Sequence, residues 1–159
     1  MSIITSLAIN AVKRSLVSFC KFISANDAGK TGGHQSGFYI PLSCWPLMFD
    51  KPGIKGENSE HIVKIRWQND FQTESRFIYY GKETRNENRL TRFGRGFPFL
   101  QENNVGDLLI LCKIDDDDYE GYVLSTDQEI EDFFAAFNLS PEQTNRLINN
   151  KSVTSPSEE

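Results

Sequence analysis

Apolar residues in this chain recur at two spacings, and each spacing predicts a different kind of element. Strict alternation runs through Ile62-Val63-Lys64-Ile65-Arg66-Trp67, as in a half-buried strand. Residues 75 to 80 follow after a short loop at 68 to 72, so the two runs are expected to pair as a hairpin. Residues 16 to 23 are rich in Phe and β-branched side chains and place Phe19, Lys21 and Ile23 on one face of a strand. Phe38-Tyr39-Ile40 is another extended run, stopped by Pro41. Residues 108 to 114 and 119 to 124 flank an acidic turn and predict a second hairpin.

Helical spacing falls mainly near the ends of the chain. Residues 2 to 12 predict a short amphipathic helix with Ile3, Leu7, Ile9 and Val12 inward. Ile130, Phe133, Phe134 and Phe137 form one stripe of a helix over 127 to 137, capped from Ser125-Thr126-Asp127, and Ser140-Pro141-Glu142 is expected to open another. Residues 43 to 49 predict one helical turn, capped by Ser43, with Trp45 and Phe49 inward. Short strands with helices at the edges indicate a mainly β fold, an antiparallel barrel or sandwich with peripheral helices, over residues 1 to 150. The tail at 151 to 159 lacks an apolar face and reads as a linker or frayed end.

Two polar excursions interrupt this pattern. The first, 24 to 37, holds four glycines and has no periodicity. The second, 81 to 96, carries five cations, two carboxylates and two side-chain amides in sixteen residues. So little apolar area cannot offset the entropy of ordering a segment, so both are expected at the surface as arms leaving strand ends. Their residue types are those that read base edges: Asn26, Asp27, His34 and Gln35 in the first, Arg85, Asn86, Glu87, Asn88 and Arg89 in the second. A purely electrostatic grip would need only lysines. Glu87 is the most telling, because a carboxylate repels phosphates and is useful there only by accepting from a cytosine amino group or by orienting an arginine.

The net charge of -5 conceals an asymmetry: residues 1 to 100 carry +6 and residues 101 to 159 carry -11. A polyanion responds to the field within a Debye length, roughly 8 Å at physiological salt, so the basic part remains compatible with DNA. Three scattered cysteines, Cys20, Cys44 and Cys112, form no CxxC pair, which points to a reducing compartment. No apolar run reaches the roughly 20 residues that a membrane helix needs, and Lys13 and Arg14 interrupt the only stretch resembling a signal peptide. A soluble intracellular protein is expected.

Catalytic and metal motifs are weak. Gly29-Lys30-Thr31 lacks the upstream glycine of a phosphate-binding loop, having Ser24 in its place. The spacing of Asp116, Asp118, Glu120, Gly121 and Asp127 approaches that of a calcium loop, but a strand precedes it and Asp127 stands where a bidentate Glu belongs, so an acidic hairpin turn is expected. Asp70 and Glu74 offer two acids for a magnesium-dependent nuclease, yet Arg76 stands where a basic Lys is wanted and cannot give up its proton. Neither catalytic nor metal-binding residues are assigned, and no cofactor is expected for this domain.

With these residues in view, Ser24-Ala25-Asn26-Asp27, Thr31-Gly32-Gly33-His34-Gln35, Gly37-x-Tyr39-Ile40-Pro41, Gly81-Lys82 and Thr84-Arg85-Asn86-Glu87-x-Arg89-x-Thr91-Arg92-x-Gly94-Arg95-Gly96 resemble the N-terminal effector-binding domains of EcoRII-type (type IIE) restriction endonucleases. The resemblance is clear over 18 to 41 and 76 to 112. It implies a B3-like DNA-binding pseudobarrel, shared with plant B3 transcription factors, whose two arms enter the major groove. It further implies a short CCWGG-like target in double-stranded DNA, read without cleavage, with magnesium needed only by a separate C-terminal nuclease domain. Position by position, it assigns His34 and Tyr39 to the first arm and Lys82, Arg85, Glu87 and Arg89 to the second. Glu83 stands as an insertion, and Asn88 replaces a lysine. From the residues themselves, Arg85 and Arg89 are expected on guanine, Glu87 on cytosine, Asn26 or Asn86 on another base, and Lys21, Lys30, Arg92 and Arg95 on phosphates, in a domain that acts as a monomer. The alternatives are a B3-type transcription regulator and a small nuclease built on Asp70 and Glu74.

Overall fold

Alternation in the sequence becomes alternation in burial. The computed structural model describes residues 1–29 and 37–149. Its third strand, β3 (Ser59–Trp67), buries Val63, Ile65 and Trp67 and leaves Ile62 41% exposed. β3 pairs antiparallel with β4 (Phe71–Tyr80) from Ser59 opposite Tyr79 to Trp67 opposite Phe71. The hairpin is tighter than expected because Gln68 and Asn69 both take left-handed backbone (φ 55), so β4 starts at Phe71. The Gln68 side chain extends the pairing: Nε2 donates to the Val123 carbonyl at 3.0 Å, and Oε1 accepts from the Val123 amide at 2.9 Å.

The other strands are β1 (Val17–Phe22), β2 (Phe38–Ile40), β5 (Glu87–Thr91), β6 (Leu108–Lys113), β7 (Asp118–Leu124) and β8 (Arg146–Leu147). They form one sheet in the order β2-β5-β4-β3-β7-β6-β1-β8, antiparallel throughout except between β3 and β7. The continuous apolar run of β6 is explained by burial on both faces. Leu109 and Leu111 enter an inner core with Phe19, Phe38, Trp67, Phe77 and Leu90. Leu108, Ile110 and Cys112 face an outer core under the helices α1 (Ile3–Arg14) and α2 (Asp127–Phe137). Each fully buried Leu or Phe contributes about 1.5–3 kcal/mol, so two interleaved cores hold the sheet from both sides.

α1 begins at Ser2, whose hydroxyl accepts from the Thr5 amide at 3.1 Å. α2 begins at Thr126, whose side chain and that of Glu129 form a capping box. The sheet curls until its ends meet. Lys21 of β1 donates from Nζ to the Tyr39 carbonyl of β2 at 3.1 Å, and the 3-10 segment Leu42–Leu47 packs on β1, β5 and β8. Side chains rather than a strand ladder make this closure, which gives the expected pseudobarrel with peripheral helices.

Three expectations are corrected. The turn near 43 to 49 is a 3-10 helix without a side-chain cap, and it buries Cys44, Leu47 and Met48 while Trp45 is only half-buried, because Pro41 sets its entry. The helix expected from Ser140 is a single 3-10 turn, Pro141–Gln143, cut short when the left-handed Asn145 (φ 60) feeds β8. The second excursion contains a strand, β5, rather than being surface throughout. The expected tail at 151 to 159 lies outside the described residues.

Candidate nucleic-acid interface

The second arm stands on a footing built from a distant loop. Gly81 is fixed by space: a Cβ there would lie 2.3 Å from the Glu57 carbonyl oxygen and 2.5 Å from the Tyr79 ring. Asn58 Oδ1 accepts from the amides of Gly81 and Lys82 at 3.0 and 3.3 Å. The Gly81 carbonyl accepts from the Gly56 amide and from Lys55 Nζ, each at 2.8 Å, and Lys55 also donates to the Glu83 carbonyl at 2.6 Å. Glu83 takes left-handed backbone (φ 57), and the Arg85 amide closes the turn on the Lys82 carbonyl at 3.1 Å. Local pattern does not record this footing, because its partners are separated by more than twenty residues.

Beyond that turn the arm becomes β5, between β4 and β2. Leu90 faces inward opposite Phe38 and Phe77, and Asn88 faces inward opposite Ile40 and Tyr79. Asn88 is 2% exposed and donates to the Pro41 carbonyl at 3.5 Å. This corrects its assignment as a contact residue, since an amide held in the strand seam is turned away from solvent.

Glu87 and Arg89 occupy the opposite face of β5 and organise what surrounds them. Arg89 is flanked by Tyr39 of β2, its guanidinium carbon 5.5 Å from the ring centroid. Arg85 lies over the Tyr80 ring at 3.6 Å. Between them, Glu87 Oε1 accepts from Arg85 Nε at 3.1 Å and also from its Nη2, while Oε2 accepts from Arg89 Nε at 3.5 Å. The result is a row, Tyr39–Arg89–Glu87–Arg85–Tyr80, in which one carboxylate and two aromatic faces orient two guanidiniums. Asn86 is exposed, and its Oδ1 accepts from the Tyr79 hydroxyl at 2.7 Å. Sequence reasoning missed Tyr80 and Arg76, whose Nη2 donates to the Tyr80 hydroxyl at 3.4 Å. Their even spacing on β4 could have placed both on the face of Glu87.

Lys82, Arg92 and Arg95 are exposed. Arg92 (φ 67), Gly94 (φ 78) and Gly96 (φ 80) joint the loop that follows β5. Phe93 and Phe97 stack at 4.4 Å and pin that loop to Trp67, leaving Arg95 beside a cleft of about 380 Å³. In the first arm Asn26 is exposed and Tyr39 is 36% exposed. Lys30, His34 and Gln35, with Thr31 of the Gly29-Lys30-Thr31 motif, fall on 30–36, outside the described residues. Lys21 and Asp27 are corrected: both are buried and bonded to each other at 2.8 Å, so neither presents its charge to a ligand.

Among the described residues no three His, Cys, Asp or Glu side chains come together as a metal site. Asp118, Glu120 and Gly121 lie along β7 rather than around a loop, so the acidic stretch is the β6–β7 hairpin turn. No described helix is long and apolar enough to cross a membrane.

The model of the family described as restriction endonuclease EcoRII, N-terminal, matches residues 12–145. The chain belongs to this family of EcoRII N-terminal domains. The type II restriction enzyme EcoRII of Escherichia coli is 30% identical over 124 residues, which are 73% of this chain and 31% of that enzyme. The chain thus matches less than a third of the length of that relative. A crystal structure of the UbaLAI restriction endonuclease B3 domain with cognate DNA is 18% identical, with a TM-score of 0.49 over 84% of this chain and 88% of that one. As an EcoRII N-terminal domain, the protein carries the row from Tyr39 to Tyr80 within the matched span.

Proposed function

We propose that this chain is the DNA-recognition domain of a type II restriction endonuclease, and that it reads a short CCWGG-like site in the major groove of double-stranded DNA without cutting it. The observation that carries this reading is the row Tyr39–Arg89–Glu87–Arg85–Tyr80, in which two guanidiniums are oriented before any ligand arrives. A planar fork held in one orientation suits the O6 and N7 acceptors of guanine, and a neighbouring carboxylate suits the cytosine amino group. Membership of the EcoRII N-terminal family supports the same reading.

In this account Lys82, Arg92 and Arg95 hold phosphates, Asn26 and Asn86 reach further base edges, and the first arm, including Lys30, His34 and Gln35, closes from the other side. The domain acts as a monomer in the bacterial cytoplasm and uses no cofactor. Magnesium serves a separate nuclease domain. Selection of bound duplexes from a random pool tests the reading: enrichment of a short CG-rich near-palindrome is expected, and a pool that stays random would sink it. Incubation of plasmid with this chain and magnesium is expected to leave the DNA intact.

A further inference from the structure

The root of the first arm contains a charged pair that the row of readers does not use. Lys21 and Asp27 have side chains 8% and 0% exposed, with Nζ and Oδ2 2.8 Å apart. Asp27 Oδ2 also accepts from the Ser24 amide at 2.9 Å, where the arm leaves β1, and Oδ1 accepts from the Tyr39 amide at 2.9 Å, where the chain has entered β2. Lys21 donates to the Tyr39 carbonyl at 3.1 Å, and the Asp27 carbonyl accepts from the Gly37 amide at 3.0 Å. One carboxylate therefore fastens both ends of the excursion, and Tyr39 is held through its amide and its carbonyl.

Such a pair is an inefficient way to stabilise a fold. Desolvating two charges costs several kcal/mol per ion, and apolar residues of similar volume often do as well or better. What the pair provides is a single arrangement. Its bonds fix the backbone of Tyr39, whose ring flanks Arg89 at the far end of the reading row. We propose that Lys21 and Asp27 are positioning residues: a buried latch that aligns the first arm with the second and sets discrimination between DNA sequences without touching DNA. This rests on the reading of the arms as base readers.

The test compares the wild-type chain with Lys21→Met, Asp27→Asn and the double variant. The probes are the duplex that the wild-type chain enriches from a random pool and a scrambled duplex, titrated across a range of salt, with thermal melting in parallel. Each single variant is expected to melt lower, because it leaves a buried charge unpaired. The double variant is expected to regain part of the lost Tm, since asparagine at position 27 keeps one oxygen to accept from the Ser24 or the Tyr39 amide, while its preference for the enriched duplex stays about tenfold lower, the scale of one lost bidentate contact. Its salt dependence is expected to match that of the wild type.

A double variant that recovers preference together with Tm would reduce the pair to a stabilising contact and overturn the proposal. One that melts as low as the singles also overturns it, since the fold itself then needs the charges. So does a fall of about 0.9 in the slope of log K against log salt, which is the signature of a lost phosphate contact. If the wild-type chain enriches no sequence, the reading of the arms falls first and the latch with it. If it does enrich one, a failure in the variants is a failure of the latch alone.

Discussion

Arg85 lies over Tyr80, its guanidinium carbon 3.6 Å from the ring centroid, while Glu87 accepts from Nε at 3.1 Å. One face of the guanidinium is covered and one edge is occupied, so the side chain is held near the geometry it would use on a base. Arg85→Ala is expected to cost about 1–3 kcal/mol on the preferred duplex and much less on a scrambled one. Tyr80→Leu, which removes the supporting ring, is expected to cost about 0.5–1 kcal/mol on the preferred duplex, the range of an exposed cation–π contact. Anisotropy titrations with both duplexes check this. Equal losses on the two for Arg85→Ala would mean that the arginine holds a phosphate.

Much of this arrangement was legible because strand periodicity is local. The alternation at Ile62–Trp67 and the double hairpin appear as expected. The strand pattern set Lys21 on one face with Phe19 and Ile23, although its charge led to a phosphate assignment that its burial overturns. Its partner was not legible in the same way: Asp27 lies in a segment without periodicity, and only the closure of the sheet shows that its carboxylate points inward. β5 was missed because Glu87-Asn88-Arg89-Leu90-Thr91 offers a single strongly apolar residue. Two neighbouring strands and an inward amide stabilise it instead, and these are long-range partners that local pattern does not record.

The footing of the second arm makes a separate prediction. Gly81→Ala places a methyl group against the Glu57 carbonyl and the Tyr79 ring, neither of which can yield without moving backbone or core. A loss of about 1–3 kcal/mol in stability is expected, as for overpacking elsewhere. Lys55→Ala removes two charge-assisted bonds, to the carbonyls of Gly81 and Glu83, at an exposed position, so a smaller loss of about 1 kcal/mol is expected. Urea unfolding of the two variants should rank them in that order, and the reverse order would show that the loop at 54–58 does not bear on the arm through Gly81.

Stability at alkaline pH follows from the buried thiol and phenols. Burial pushes the Cys20 thiol up from 9.0 to about 12, with Cys44 adding to the effect and Arg146 opposing it, and burial likewise raises Tyr119 and Tyr122. For a raised pKa the folded state binds more protons than the unfolded state, so its contribution is fully present below the unfolded value and is lost as pH rises through the folded one. Melting temperature is therefore expected to decline from about pH 9 upward. Cys20 is also expected to resist thiol reagents in the folded protein at pH 8. Rapid labelling of Cys20 under native conditions would contradict its burial.

Glu87 gives the sharpest expectation, because its charge works against affinity and for discrimination. Its carboxylate sits between Arg85 and Arg89, 3.1 Å from one Nε and 3.5 Å from the other, and partly neutralises both towards phosphates. Glu87→Gln keeps the shape of the side chain but frees the field of two guanidiniums. Binding to scrambled duplex at low salt is expected to tighten, since removal of an anion raises the local positive potential. Binding to the preferred duplex is expected to weaken or stay level, because the forks lose their orientation and the acceptor for a cytosine amino group is gone. The ratio of the two affinities should fall by about tenfold, the scale of one bidentate base contact. Titrations at two salt concentrations separate the effects: the gain on scrambled DNA should shrink as salt rises, whereas the loss of preference should persist. A variant that loses affinity for both duplexes in proportion would show that Glu87 only braces the fold of the arm.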